Sequence, residues 1–375
     1  MKLFDVYPLY DITPVAALGS RILDDKGREY LDFYGGHAVI SIGHRHPDYI
    51  NALKAQLDQL NFYSNAVINP LQEKLASKLI NLSGCSDYQL FLCNSGAEAN
   101  ENALKLASLH TGKKRILAFK NSFHGRTTAA AAATDNPAMH APINKLQEVS
   151  FLNFEDFDAF DHEISKNDVC AVIIEAIQGV GGLDQPSVEF YNFIAQRCRE
   201  KQIVLIADEV QSGYGRSGTF FAFQQHGIEP DIISIAKGMG NGFPIAGILI
   251  HNQFKATYGM LGTTFGGNHL ACAAGLAVLE VIQKENLIQN AQKLGEYFVQ
   301  KAAEIPQIKH LKGKGLMRGL EFDFEVAELR KRLIFNQGVF TGGAKNKHIL
   351  RILPALNITK TEMDLFFSAL KKELQ

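Results

Sequence analysis

From about Tyr88 to Asn252 the chain alternates apolar runs of strand length with stretches of helical period. Strands are predicted at 89–93, 115–120, 171–175, 203–208, 232–236 and 246–250, with helices such as 97–110 and 188–201 between several of them. Near-continuous apolar runs joined by helical segments predict a mainly parallel sheet covered by helices on both faces. Ligands of such sheets gather at the carboxyl ends of the strands. The chemically unusual residues of this chain lie at those ends.

The flanks read differently. Residues 20–33 predict a hairpin around Asp25-Lys26-Gly27, and Pro47 can start an amphipathic helix over 47–60. A long helical stretch over 269–305 precedes short strands near 316–324, 338–341 and 349–353. At 375 residues the chain is long enough for two domains, and the absence of a Pro/Ser linker or low-complexity tract predicts that they pack closely. With 38 Lys and Arg against 39 Asp and Glu, the net charge of −1 provides no global basic field for nucleic acid or anionic membrane. Anionic ligands must therefore be held by local groups. No apolar run suits a signal peptide or a membrane span, which predicts a cytoplasmic protein. The five cysteines are scattered without a C-x-x-C, signalling neither disulfides nor zinc.

Lys237 ends the run Asp231-Ile232-Ile233-Ser234-Ile235-Ala236 and precedes Gly238-Met239-Gly240-Asn241-Gly242. A lysine desolvated at a strand end has a freed amine suited to Schiff-base chemistry; the alternative is a snorkelling surface lysine. Asp208 ends the preceding run and is suited to meet a protonated pyridine nitrogen, or else to cap a helix. Gln211, three residues on, can donate to a phenolic oxygen. Asn94-Ser95-Gly96-Ala97-Glu98-Ala99-Asn100 opens a helix after a strand, either as a phosphate cradle or as a plain Ser cap. Phe123-His124-Gly125-Arg126 supplies a ring cover in Phe123 and a carboxylate fork in Arg126, if these are not a core Phe and a surface Arg. Two decoys accompany these. Gly213-Tyr214-Gly215-Arg216-Ser217-Gly218 fits G-x-G-x-x-G, but no crisp amphipathic helix begins at Gly218. His44-Arg45-His46 lacks a third metal ligand nearby and reads as a pair of loop hydrogen-bonders.

Cradle, ring cover, nitrogen partner and lysine at successive strand ends are a specific combination. With G-G-H-A-V-I-S-I-G-H-R-H-P (35–47), N-S-G-A-E-A-N (94–100), F-H-G-R (123–126), A-D-E-V-Q-S-G-Y-G-R-S-G (207–218), S-I-A-K-G-M-G-N-G-F-P (234–244) and G-T-T-F-G-G-N (262–268), the chain resembles the class III (ω-) aminotransferases, and within them the acetylornithine aminotransferases. The resemblance implies an α/β fold of type I: a mainly parallel central sheet with flanking helices, plus a small α+β domain. The large domain would span 46–265, and the small domain 1–45 with 266–375. It implies pyridoxal 5′-phosphate on Lys237, Asp208 at its ring nitrogen, Gln211 near its phenolic oxygen and Phe123 on its face. Ser95, Gly96 and Ala97 would contact the phosphate, and Thr264 would reach the phosphate in the partner subunit of a homodimer. Thr263, Arg126 and Arg351 would meet the substrate.

The implied reaction moves the terminal amine of N-acetylornithine or N-succinylornithine to 2-oxoglutarate, giving a semialdehyde and glutamate, as in arginine biosynthesis. Lys237 would shuttle the proton. An ornithine δ- or 4-aminobutyrate-type aminotransferase is the alternative, followed by a cofactor-binding protein without catalysis. One departure is informative. Where the family has E-P-x-Q-G-E-G-G, this chain has Glu175-Ala176-Ile177-Gln178-Gly179-Val180-Gly181-Gly182. The glutamate expected to cover Arg351 is Val180, and an uncovered arginine favours a substrate with an additional anionic group.

Overall fold

The structure, a computed structural model, describes residues 3–375; Met1 and Lys2 lie outside the described residues. A seven-stranded sheet forms its centre, in the spatial order Tyr88–Cys93, Ala246–His251, Ile232–Ile235, Val204–Asp208, Val169–Ile174, Arg115–Phe119, Val149–Leu152. The last five strands pair in parallel, whereas Ala246–His251 is antiparallel to both its neighbours. One reversed strand therefore leaves Tyr88–Cys93 running in the common direction. The carboxyl ends of six strands and the start of Ala246–His251 share one edge.

The strands Arg115–Phe119, Val169–Ile174, Val204–Asp208 and Ile232–Ile235 are buried at every position, because helices cover both faces of the sheet. Local signals set the helix limits. Gly96–Thr111 starts where Ser95 accepts the Glu98 N–H at 3.2 Å and stops at Gly112, whose φ of 68° suits glycine. Val188–Lys201 is capped in the same way by Ser187.

The expected hairpin consists of Arg21–Asp24 and Glu29–Asp32, its turn held by Asp24 accepting the Lys26 and Arg28 N–H groups. With Pro14–Leu18 it forms a sheet whose fourth strand, Val339–Phe340, comes from the other end of the chain and pairs parallel with Leu31–Asp32. A third sheet contains His310–Lys314, Met317–Glu321, Ile349–Ile352 and Gly342–Gly343. The stretch expected to be helical over 269–305 is two helices, His269–Lys284 and Leu287–Ala303, broken where Asn286 takes a φ of 52°. The helix begun by Pro47 ends at Leu57, short of the expected residue 60. All five cysteines are buried and free. No helix among the described residues is long and apolar enough to cross a membrane.

Candidate active site

At the common strand edge lies a cavity of about 350 Å³. Its walls include Ser95, Gly96, Ala97, Phe123, Arg126, Asp208, Gln211 and Lys237, so eight expected site residues converge there from four strand ends. Ser95 caps the helix Gly96–Thr111 by accepting the Glu98 N–H, which leaves the N–H groups of Gly96 and Ala97 without a partner among the described residues and directed along the positive end of the helix. Such a terminus attracts an anion.

Asp208 is 4% exposed and held on three sides. Its Oδ2 accepts from Asn100 Nδ2 at 2.8 Å and lies 2.7 Å from His124 Nδ1, while Oδ1 accepts the Val210 N–H at 3.0 Å. His124 is fully buried and its Nε2 has no partner, nor has Asn100 Oδ1. A second buried carboxylate, Glu175, accepts the N–H groups of Phe123 and Gly179, both at 3.0 Å. This ties the backbone of Phe123 to the loop after Val169–Ile174. Burial pushes Glu175 up from its ordinary value; His124 opposes the rise and the charge of Asp208 adds to it. Neither His124 nor Glu175 was given a role from sequence. Both sit inside quoted motifs, but only the fold places them against Asp208 and Phe123.

Lys237 has a φ of 45°, a conformation sparsely populated by residues with a side chain, and its surroundings hold it there. Asn241 accepts the Ser41 and Ile42 N–H groups and donates to Gly43 O, Ser41 Oγ donates to Gly238 O, and Tyr49 donates to Gly240 O. Burial lowers the Lys237 pKa; Asp208 and Glu175 act against that, and Arg351 reinforces it. The net direction frees the amine, as its position at an apolar strand end requires.

The segment before Ser41 is a left-handed turn. Gly35, Gly36, His37 and Ala38 have φ of 55°, 55°, 68° and 64°. His37 and Ala38 carry side chains, so the turn costs about 1–2 kcal/mol at each of them. It is tied by Asp32, whose Oδ1 accepts the Tyr34 and Gly35 N–H groups, and by the Ala38 N–H to Tyr34 O. Gln211, expected near a phenolic oxygen, donates from Nε2 to His37 O at 3.2 Å, and its buried Oε1 has no partner among the described residues.

Arg351 is 4% exposed and meets no carboxylate among the described residues. Its guanidinium donates to the carbonyls of Gly179 and Gly343, and burial lowers its pKa. Val180 follows directly after Gly179, so the position where a covering carboxylate was expected is apolar. Arg126 lies on the cavity wall with its guanidinium carbon 5.3 Å from the centre of the Phe123 ring. Thr263 lies outside the cavity wall; its hydroxyl accepts from Asn94 Nδ2 at 3.3 Å and from Gly266 N–H at 3.0 Å. Thr264 is exposed and also outside it. The decoys resolve into structure. Arg216 of the glycine motif is buried and donates to the carbonyls of Ile40, Leu316 and Pro354, and the motif runs into turns rather than a helix. His44 pairs with Asp32 and His46 with Glu285, each at 2.8 Å.

Residues 6–374 match the family model described as aminotransferase class-III. The chain is 40% identical over 380 residues to an acetylornithine aminotransferase of Bacillus subtilis, covering all of this chain and 97% of that protein. It is 37% identical over 385 residues to an acetylornithine aminotransferase of Aquifex aeolicus, covering 99% of each. Among solved structures, the ornithine aminotransferase of Toxoplasma gondii superposes with a TM-score of 0.91 at 27% identity, covering 99% of this chain and 92% of that one. An S-selective transaminase from Arthrobacter sp. shares the fold, with a TM-score of 0.92 at 23% identity over all of this chain and 95% of that one.

Proposed function

Because the chain belongs to the class-III aminotransferases, enzymes that use pyridoxal 5′-phosphate, we propose that it transfers the terminal amino group of an N-acylornithine to 2-oxoglutarate, the chemistry of arginine biosynthesis. The observation that carries this is similarity to acetylornithine aminotransferases over the whole chain, combined with the convergence of Lys237, Asp208 and the Gly96–Thr111 helix terminus on one cavity. The acyl group is acetyl, as in those relatives, or one that carries a second carboxylate, such as succinyl.

The cavity suits the cofactor. The free N–H groups of Gly96 and Ala97, with Ser95, match a phosphate. Buried Asp208 matches a protonated ring nitrogen, and the unpartnered Oε1 of Gln211 lies within the same walls. Phe123 would cover a ring face, and Lys237 would be the attachment point. When bound, the cofactor supplies a sink for the electron pair left at the substrate carbon. The residues of the chain do the rest. Lys237, freed of its proton by burial, takes the proton from that carbon and returns it. Asp208, held by His124, Asn100 and the Val210 N–H, would face the ring nitrogen. Arg126 and Arg351 would bind the carboxylates of the substrates, and Thr263, outside this subunit's cavity wall, would meet substrate only from elsewhere on the dimer.

We further propose a cytoplasmic homodimer with shared sites, in which Thr264 serves the cofactor of the other subunit. Support comes from the exposure of Thr264 beside apolar Phe265, which is 61% exposed, and from the exposed Tyr63 and Ile68, whose segment is tied to the Thr264 loop by Asn65 donating to Thr263 O and Gly266 O. A division into 46–265 and 1–45 with 266–375 is supported by the pairing of Val339–Phe340 with Leu31–Asp32.

The test is kcat/KM for N-acetylornithine, N-succinylornithine, free ornithine and 4-aminobutyrate at fixed 2-oxoglutarate. An N-acylornithine should lead. A clear lead for free ornithine or 4-aminobutyrate would replace this function with one of the alternatives.

A further inference from the structure

A second cavity, of about 570 Å³, lies at the opposite edge of the central sheet, where its parallel strands begin. Its wall takes Tyr88 from the start of Tyr88–Cys93, His251 from the end of Ala246–His251 and Asp231 from just before Ile232–Ile235. The carboxyl ends of the helices Gly96–Thr111 and Val188–Lys201 reach the same wall, and such ends carry partial negative charge. This cavity and the one at Lys237 share no residue. The strand run from Ile232 to Ala236 separates Asp231 from Lys237, which at about 3.3 Å per residue sets them about 20 Å apart.

Four charged side chains on this wall, Asp231, Glu229, Lys113 and Arg199, form no ion pair among the described residues, with one another or with any neighbour. Lys113 Nζ meets only the neutral Asn167 Oδ1, at 3.1 Å. Asp231 accepts the Leu205 N–H at 2.7 Å and Gln253 Nε2, both neutral donors. Burial raises the Asp231 pKa, while these hydrogen bonds act to lower it. A half-buried carboxylate without a cation leaves its desolvation only partly offset. Beside it, the Tyr88 ring is fixed by its hydroxyl donating to Pro230 O and stands edge-on to His251, with centroids 5.4 Å apart. His251 N–H in turn donates to Asp231 O at 3.0 Å. Aromatic surface of this kind accepts an alkyl stem or the face of a guanidinium. The two acids balance the two bases, and the helix ends add about one further negative charge between them. The wall therefore complements a ligand that carries an anion and a cation and has a second cation in excess.

We infer that this cavity binds a free basic α-amino acid, its side-chain ammonium or guanidinium on Asp231 against Tyr88 and His251, its α-carboxylate on Arg199 and Lys113, and its α-ammonium on Glu229. The site is separate from the substrate cavity in place and in chemistry. An N-acylornithine has no α-ammonium to offer Glu229, so the free amino acid is the better fit here.

The test is calorimetric titration of the holoenzyme, its substrate cavity first saturated with N-acetylnorvaline, which lacks a terminal amine. The titrants are L-arginine, L-lysine and L-norvaline, the last having no side-chain cation. Wild type should bind arginine or lysine at a single site per chain, about tenfold or more tighter than norvaline, the worth of one charge-assisted hydrogen bond. Raising the N-acetylnorvaline concentration should leave that affinity unchanged. Asp231→Asn, which keeps an acceptor for the Leu205 N–H, should erase the preference over norvaline. Arg199→Gln, at an exposed position, should weaken all three titrants about fivefold and leave the preference intact. Circular dichroism and cofactor absorbance should match wild type in both variants, which separates loss of the ligand from loss of the fold. The inference is overturned if neither basic amino acid binds, if norvaline binds as well, if N-acetylnorvaline competes, or if Asp231→Asn keeps the preference. In each of those cases the substrate assignment stands or falls on its own panel of donors.

Discussion

Gly179 joins the cofactor side of the site to Arg351, and adding one methyl group there tests whether Gln211 is held as described. A Cβ at this position would lie 2.1 Å from Gln211 Oε1, 2.7 Å from its Cδ and 3.4 Å from its Cβ. Gln211 is 8% exposed, so its end must swing within a packed wall and give up the 3.2 Å hydrogen bond to His37 O. Overpacking of this kind costs about 1–3 kcal/mol, and the lost hydrogen bond about 1 kcal/mol more. Because the first atom met is the end of a flexible side chain, Gly179→Ala should fall near 2 kcal/mol, well short of unfolding the chain. The hydrogen bonds of Gly179 N–H to Glu175 and of its carbonyl to Arg351 remain available. The assay is urea unfolding of the holoenzyme in a double-mutant cycle with Gln211→Ala. Removing the Gln211 amide first should make Gly179→Ala nearly free, giving a coupling of about 1–2 kcal/mol. The cofactor absorbance should also shift in Gly179→Ala and not further in the double variant. If Gly179→Ala costs the same in both backgrounds, the clash with Gln211 is not what glycine avoids here, and the reasoning fails.

Burial pushes Glu209 up to about 7 from 4.5, despite donors from Ser212, Ala222 and Phe223. The folded value lies above the unfolded one, so this contribution to stability is complete below about pH 4.5 and is lost as pH rises through 7. Urea midpoints between pH 5 and pH 8 should therefore fall more steeply for wild type than for Glu209→Gln, by the equivalent of about 3 kcal/mol; parallel profiles would show that Glu209 stays ionised throughout. Val180→Glu should place a carboxylate beside Arg351 and move the kcat/KM ratio about tenfold from N-succinylornithine toward N-acetylornithine, as one neutralised charge contact requires. Thr264→Ala should weaken cofactor binding about fivefold, the worth of one hydrogen bond, although Thr264 lies outside its own subunit's cavity. Unchanged affinity in equilibrium dialysis would argue against shared sites.

The central strands were legible because burial on both faces makes each a continuous apolar run, and all six expected strands lie within two residues of their predicted limits. The edge strand Val149–Leu152 was not, since its V-S-F-L is only half-buried and has neither a clean alternation nor a continuous core pattern. The reversal of Ala246–His251 was equally hidden, because an apolar run carries no direction. In the site, Lys237, Asp208, Phe123 and the Ser95–Ala97 turn could be read because each follows its strand directly. His124 and Glu175 could be seen but not interpreted, since their work depends on the Asp208 and Phe123 atoms that the sheet brings beside them. Asn286 broke a helix that periodicity extended, because hydrophobic repeats on either side of a short turn can remain in phase.

The most direct test of the central claim is where the cofactor attaches. The purified holoenzyme is reduced with borohydride, digested and mapped by mass spectrometry. The account predicts a pyridoxyl-phosphate mass on the peptide carrying Lys237, loss of the visible band on reduction, and neither label nor turnover in Lys237→Ala. A label on another lysine, or full activity in Lys237→Ala, would contradict it.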